Sequence, residues 1–253
     1  KSLNRGIRAS SGSLIARQDA DDASLPERLA RQVAYMDAHP NIGLVGSGSR
    51  WIDDQDVVTR EWVPLTDPSE IQQLLLFSIP FLHGTFMFRR ESLSDIGGGY
   101  DETKPVAQDC DLLLRVSERW DMANLPDILY VHRQHEDTIT AKRKADQEHY
   151  LHLARQAAIC RRLAFGRGRF GLSKARIPEW VKSTDRHWLA QRYVWWSAGA
   201  RTLNRGLALQ FLFIALLLDP TSPYVWSYIR GILVRKVNHL SFGPVNVNLH
   251  RSK

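Results

Sequence analysis

Three carboxylates, Asp19, Asp21 and Asp22, lie within four positions, directly after a short apolar run at residues 14–16. Such a run predicts a buried strand, so the carboxylates would lie at the edge of a sheet, where open α/β folds bind ligands. Adjacent carboxylates repel one another unless water or a cation neutralises them, and oxygen ligands on a short loop suit Mg2+ or Mn2+. An acidic turn that precedes a helix is an equally good interpretation of the spacing alone.

A second candidate is Asp109, which follows a glycine-rich turn at residues 97–99 and stands at the head of a predicted helix. Backbone N–H groups and the helix dipole keep a carboxylate ionised at such a position. An ionised, positioned carboxylate can take a proton from a hydroxyl group. Taken alone, Asp109 fits a simple helix cap as well or better.

The histidines form a third set of candidates. His83 precedes Gly84, where the missing side chain would let the backbone approach a ligand closely. His132 and His135 follow a predicted strand, and a histidine beside a carboxylate cluster is a possible metal ligand, although a lone histidine is more often structural.

The elements that must position these groups alternate between strand and helix, which predicts an α/β sheet. Ser24 and Glu27 have the spacing of a capping box and predict the start of a helix. Its apolar residues at helical spacing are Leu25, Leu29, Val33 and Met36. A hairpin is expected at 51–63, with strands at 42–47, 86–88 and 125–133, and helices at 67–77, 90–96 and 109–120.

Composition excludes several classes of protein. The 253 residues are 43% hydrophobic and 24% charged, as in an ordinary globular protein. The only cysteines, Cys110 and Cys160, lack a zinc or disulfide spacing, which favours a reducing compartment. The longest apolar run, residues 211–218, is too short for a membrane span. No signal peptide is visible and the chain does not begin with Met, so we expect a cytoplasmic location and a missing true start.

Charge and composition change near residue 140. Residues 1–140 carry a net charge of −8 and residues 141–253 a net charge of +15. We expect a basic α-helical region from 141, with a linker at 166–173 and paired helices at 187–218 and 222–237, one pair resembling a tetratricopeptide unit. Its basic surface could be simply solvated, or could contact phosphates, nucleic acid or an anionic membrane.

Several motifs occur in one order along residues 1–140. They are the stretches 16–22, 24–29, 39–47, 83–90, 98–101, 108–112 and 125–130, followed by His135. This series resembles the family 2 glycosyltransferases, in particular the bacterial enzymes that build cell-surface glycans. The resemblance implies an α/β fold of the GT-A type, a Rossmann-like mixed sheet, over residues 1–140, followed by the helical region 141–253.

The resemblance also implies a chemistry: inverting transfer from a nucleotide sugar, most often a UDP-sugar, to a glycan or lipid-linked acceptor. Asp19 and Asp21 match the family's Asp-x-Asp element. Asp19, with Arg17, Asp22, His83 and Gly84, would bind the donor, and Asp21 and His135 would hold Mn2+ or Mg2+. Asp109 matches the catalytic base, with Gln108 where many relatives carry Glu. Nucleic acid is not an expected partner, whereas an anionic membrane surface is.

Two expectations limit this assignment. Family members begin with strands that bind the nucleotide base, and these would precede Lys1, so we expect the isolated chain to bind donor weakly. A phosphoryl-transfer enzyme would need a nucleophilic Asp or a Gly/Lys phosphate loop, and we identify neither. The remaining alternative is a non-catalytic binding module in which the basic helical region is the working part.

Overall fold

The computed structural model describes residues 1–76, 78–134, 143–164, 186–200 and 205–233. The chain divides into two compact units. The first comprises Lys1–Ala158 with Arg162–Ala175, and the second comprises Ile159–Arg161 with Arg176–Lys253. The expected linker at 166–173 and His135 lie outside the described residues.

The described elements alternate as predicted. The strands are β1 (Leu14–Ala16), β2 (Ala23–Ser24), β3 (Ile42–Ile52), β4 (Val58–Trp62), β5 (Met87–Arg89) and β6 (Asp121–Arg133). The helices are α1 (Ser2–Ala9), α2 (Arg28–Ala38), α3 (Pro68–Leu74), α4 (Arg90–Asp95), α5 (Gln108–Val116), α6 (Lys144–Ala164), α7 (Arg186–Ala200), α8 (Arg205–Leu218) and α9 (Pro223–Leu233).

The described strands form one mixed sheet around β3. Its order is β1-β5-β3-β6-β2, with β4 paired to β3. Only β3 and β6 run parallel; the other described pairs are antiparallel. Val45 of β3 stands beside Met87 of β5 on one side and Ala123 of β6 on the other, and all three lie in the buried apolar core. The predicted α/β sheet is confirmed.

The start of α2 differs from the prediction. Ser24 does not cap the helix, because it lies in β2, where it pairs with Tyr130 of β6. The Ser24 hydroxyl donates to Gln18 Oε1 at 2.6 Å and accepts from Arg28 Nη1 at 2.9 Å. The helix begins one turn later, at Arg28.

The buried face of α2 is only partly apolar: of the residues at helical spacing, Met36 is buried but Leu29 is 51% exposed, whereas the polar Arg28 and Gln32 are buried. Buried polar groups need hydrogen-bond partners, and strand-end carbonyls supply them. Arg28 donates to the Arg17 carbonyl at 2.8 Å, and Gln32 donates to the Thr85 carbonyl at 2.8 Å. Helix α2 therefore fixes the two loops that carry the candidate site.

The described part of the second unit is helical. Helices α7 and α8 pack through Tyr193, Trp196 and Phe211, which are buried with their rings in contact. The Ser197 hydroxyl donates to the Ala208 carbonyl at 2.8 Å, joining the same two helices. Among the described residues, no helix is long and apolar enough to cross a bilayer.

Candidate functional site

Arg17 occupies the centre of the candidate site. Its backbone N–H donates to the Phe86 carbonyl at 2.8 Å, which ties the loop after β1 to the start of β5. Its guanidinium group donates to both carboxylate oxygens of Asp19, with Nη1–Oδ2 at 2.7 Å and Nη2–Oδ1 at 2.5 Å. The Arg17 side chain is 12% exposed and that of Asp19 is 39% exposed, so the pair joins a buried guanidinium to a carboxylate that solvent still reaches. Bidentate, charge-assisted hydrogen bonds of this kind fix the geometry of both side chains.

The same guanidinium acts electrostatically on His83, Tyr100 and Asp109. Burial lowers the pKa of His83 well below its usual value, and the Arg17 charge lowers it further, so His83 is neutral at pH 7. His83 Nε2 lies 2.8 Å from the hydroxyl oxygen of Tyr100. Burial raises the pKa of Tyr100, with Asp109 and Asp19 acting in the same direction. These groups come from three separate stretches of sequence and converge around one cation.

Asp109 lies in the first turn of α5, partly buried. The chain enters the helix through Ala107, which has a left-handed φ of 56°, an uncommon conformation for a residue with a side chain. Burial raises the pKa of Asp109 above its usual value, while backbone N–H groups and the charges of Arg17 and Arg155 oppose that rise. Asp109 is thus a desolvated carboxylate near two cations, an environment suited to proton transfer.

Tyr130 of β6 contacts the backbone of Asp19. Its hydroxyl oxygen accepts a hydrogen bond from the Asp19 backbone N–H at 3.1 Å. The backbone at Gly84 passes directly over the Tyr130 ring, because a Cβ at Gly84 would lie 2.2 Å from the Tyr130 hydroxyl oxygen. The close approach expected at Gly84 is therefore made to Tyr130.

Asp22 is held by the end of β6. The carboxylate accepts from the Arg133 backbone N–H at 2.8 Å, and both its oxygens lie 3.1 Å from His132 Nδ1. Burial alone would raise the pKa of Asp22, but the hydrogen bonds from His132, Arg133 and Tyr130 outweigh it and lower the pKa. Its side chain is almost inaccessible, so Asp22 fixes the acidic loop to the sheet.

Asp21 is the exposed carboxylate of the three, on the turn between Asp19 and Asp22. The hydrogen bond and the charge of Asp56 raise the pKa of Arg133, and the charge of Asp21 raises it by a smaller amount. Among the described residues, no three His, Cys, Asp or Glu side chains form a group that could hold a metal ion. One accessible carboxylate nevertheless fits Mg2+ or Mn2+, because such ions are commonly held by one or two carboxylates together with substrate phosphates.

Tyr100, Tyr130 and Arg155 enter the site without having been predicted. Asn4 of α1 holds Tyr100 through both backbone groups, accepting from its N–H and donating to its carbonyl at 2.8 Å each. Arg155 of α6 is buried, with its charge close enough to Asp109 to influence it. Tyr100 and Tyr130 lie in the stretches 98–101 and 125–130, which belong to the series of motifs in the sequence. Arg155 is recognisable only from its place in the structure.

The known proteins to which this chain is similar are glycosyltransferases. Residues 1–97 match the family described as Glycosyl transferase family 2. Over 144 residues, the chain is 32% identical to the amylovoran biosynthesis glycosyltransferase AmsE of Erwinia amylovora, covering 56% of this chain and 53% of that protein. Over 141 residues, it is 34% identical to the O-antigen biosynthesis glycosyltransferase WbnJ of Escherichia coli, covering 53% and 52%. The chain thus spans about half the length of these relatives.

Solved structures show the same fold. The structure of S. aureus TarS 1-349 in complex with UDP-GlcNAc superposes with a TM-score of 0.50 at 13% sequence identity, covering 91% of this chain and 72% of TarS. The GT-A-type fold expected from the sequence is confirmed by this likeness together with the mixed sheet. Over residues 1–97 the chain is therefore similar to the family 2 glycosyltransferases, and over about half of its length it is similar to bacterial glycosyltransferases.

Proposed function

We propose that this protein transfers a sugar from a UDP-sugar to an acceptor hydroxyl group, with inversion at the anomeric carbon, in the synthesis of a cell-surface polysaccharide or glycoconjugate. The relatives AmsE and WbnJ act in amylovoran and O-antigen biosynthesis, and TarS, which shares the fold, has been crystallised with UDP-GlcNAc. The acceptor is a glycan or lipid-linked saccharide at the cytoplasmic face of the membrane.

One observation carries the proposal. Arg17 binds Asp19 directly and acts electrostatically on Asp109, so residues 90 positions apart in sequence share one cation. In the proposed roles, Asp19 contacts the donor and Asp109 serves as the base. Inverting transfer needs these two functions on opposite sides of one sugar, and the two carboxylates come from separate parts of the fold, the loop after β1 and the first turn of α5.

Asp109 would act as the general base. It removes the proton of the acceptor hydroxyl as that oxygen forms its bond to the anomeric carbon. The bond between the sugar and the diphosphate breaks with its electron pair leaving on the diphosphate. Burial raises the pKa of Asp109, which makes it a stronger base, while the charges of Arg17 and Arg155 oppose that rise.

The charge that develops on the diphosphate needs a compensating cation. Asp21 and His135 would hold a divalent ion, Mn2+ or Mg2+, which offsets that charge when bound. Within the protein, Arg17 fixes the orientation of Asp19, and Asp22 anchors the acidic loop to β6, so Asp21 is presented to solvent on a constrained turn. His83 and Gly84 place the neighbouring loop against Tyr100 and Tyr130.

The test is Asp109→Asn in the full-length protein, assayed for sugar transfer with a panel of UDP-sugars and Mn2+. Loss of a general base lowers kcat by about 10²–10⁴-fold. Donor affinity, measured by calorimetry, should stay within about twofold, because the substitution keeps the size of the side chain. The matched control is Asp37→Asn, an exposed carboxylate on α2. Transfer at the normal rate by the Asp109 variant would refute the base role and favour the non-catalytic binding module.

A further inference from the structure

Helix α8 carries a continuous exposed apolar surface. Leu209, Phe213 and Leu217 are 66%, 62% and 66% exposed. They are spaced four residues apart and therefore lie along one face of the helix. On its other side, α8 buries Ala208, Phe211 and Ala215. We call Leu209, Phe213 and Leu217 the α8 stripe.

The stripe is more than an ordinary scatter of surface apolar residues. Single exposed leucines are common, but a row of large apolar side chains on one helix face marks an interaction surface. Among the described residues of the second unit, the contacts between α7 and α8 use Phe211 and Ala208 of α8 and not the stripe.

The charges around the stripe indicate which partner it takes. Arg205 is exposed at the start of α8, four residues before Leu209, and so heads the same helix face. On α9, Trp226 is 45% exposed and is followed four residues later by the exposed Arg230. Across residues 176–253 the net charge is +8. Large apolar side chains, an exposed Trp and flanking arginines are the composition of helices that lie in a membrane interface.

The same charges disfavour a second copy of the chain as the partner. A symmetric dimer through the stripe would bring two identical surfaces together, including both copies of Arg205, in a region that is already strongly basic. Anionic lipid headgroups instead complement the arginines while the acyl boundary receives the apolar side chains.

We propose that the α8 stripe binds the surface of an anionic bilayer, with Leu209, Phe213 and Leu217 inserted at the acyl boundary and Arg205 at the headgroups. The helix lies on the membrane and does not cross it. The contact would hold the protein beside a membrane-borne acceptor, but it does not depend on the catalytic roles proposed above, and its test needs neither donor nor acceptor.

The test is co-sedimentation of the 253-residue protein with vesicles of phosphatidylcholine containing 30% phosphatidylglycerol, against vesicles of phosphatidylcholine alone. We expect binding to the anionic vesicles that falls as NaCl is raised from 50 to 500 mM. The triple variant Leu209→Gln, Phe213→Gln, Leu217→Gln should lower the partition coefficient at least tenfold. Arg205→Gln should lower it about fivefold, the contribution of one basic residue near such a surface.

The matched control replaces three exposed valines of the first unit, Val57, Val58 and Val63, with Thr. It removes a similar number of exposed apolar side chains and should leave vesicle binding unchanged. Circular dichroism checks that each variant is folded. Absent binding to anionic vesicles, or equal binding by the stripe variant, would overturn the proposal. A dimer in analytical ultracentrifugation that the stripe variant abolishes, without vesicle binding, would identify a second copy as the occupant instead.

Discussion

The guanidinium group of Arg17 donates to both carboxylate oxygens of Asp19, at 2.7 and 2.5 Å. Contacts within the protein therefore fix the orientation of the Asp19 side chain. Binding sites gain affinity from such preorganisation, because the ordering cost has been met during folding. The same cation also reaches Asp109, so a change at Arg17 has two separable consequences, one for orientation and one for charge.

The variant Arg17→Lys separates the effect of Arg17 on the orientation of Asp19 from the effect of its charge on Asp109. Lysine keeps the positive charge but cannot form the two-pronged contact with Asp19. We expect KM for the donor to rise about tenfold, the loss of one charge-assisted hydrogen bond, with little shift in the pH profile of kcat. Arg17→Met should show the same KM effect and also move the acidic limb of the profile to higher pH. Steady-state kinetics of both variants between pH 5 and 9 measure the two effects, and a Lys variant with wild-type KM would contradict the orienting role.

Arg155 should act on Asp109 through charge alone. Burial raises the pKa of Asp109, and the base works only when ionised, so activity falls as pH drops through that raised pKa. Removing the nearby positive charge in Arg155→Met raises the pKa further and moves the acidic limb of kcat to higher pH, while Arg155→Lys restores it. An unaltered pH profile in the Met variant, with a lower rate at every pH, would instead indicate a packing role.

The lowered pKa of Asp22 predicts that the stability of the protein depends on pH. Its folded pKa is lowered, so its charge stabilises the fold above the unfolded-state pKa, and that contribution is lost as pH falls through the folded value. Asp22→Asn should cost about 1–3 kcal/mol at pH 7, since it weakens the contacts to His132 and the Arg133 N–H. Urea unfolding should show the difference from wild type shrinking toward pH 3. A deficit that stays constant with pH would rule out the charge as its source.

Gly84→Ala should destabilise the protein, because its Cβ would lie 2.2 Å from the Tyr130 hydroxyl oxygen and one of the two chains must move. Overpacking of this kind costs about 1–3 kcal/mol. Gly6→Ala is the matched control, since nothing lies within 4 Å of a Cβ there and alanine favours the helix α1. The midpoints of urea denaturation measure the stability of the Gly84→Ala and Gly6→Ala variants relative to wild type. Equal stability of Gly84→Ala and wild type would show that the Tyr130 contact is loose.

Local patterns determined much of this fold. The apolar run at residues 14–16 predicts β1, and the helix predicted from residue 67 is α3, where the Asp67 carboxylate accepts from the Glu70 N–H at 2.9 Å. Such signals act within a few residues of one another, so they can be read along the chain. The order of motifs also indicated the family, because many short stretches in one sequence order are far more specific than any single one.

Tertiary structure alone decided which residues meet. Asp22 pairs with His132, Tyr130 accepts from the Asp19 N–H, and Arg155 acts on Asp109, each across a long stretch of sequence. The burial of Arg28 and Gln32 on α2 also depends on residues that are distant in sequence. Arg28 and Gln32 break the apolar pattern of a buried helix, and they are stable inside only because the carbonyls of Arg17 and Thr85 are there to accept their hydrogen bonds. Periodicity carries no information about where distant carbonyls lie; the register of the strands fixes it.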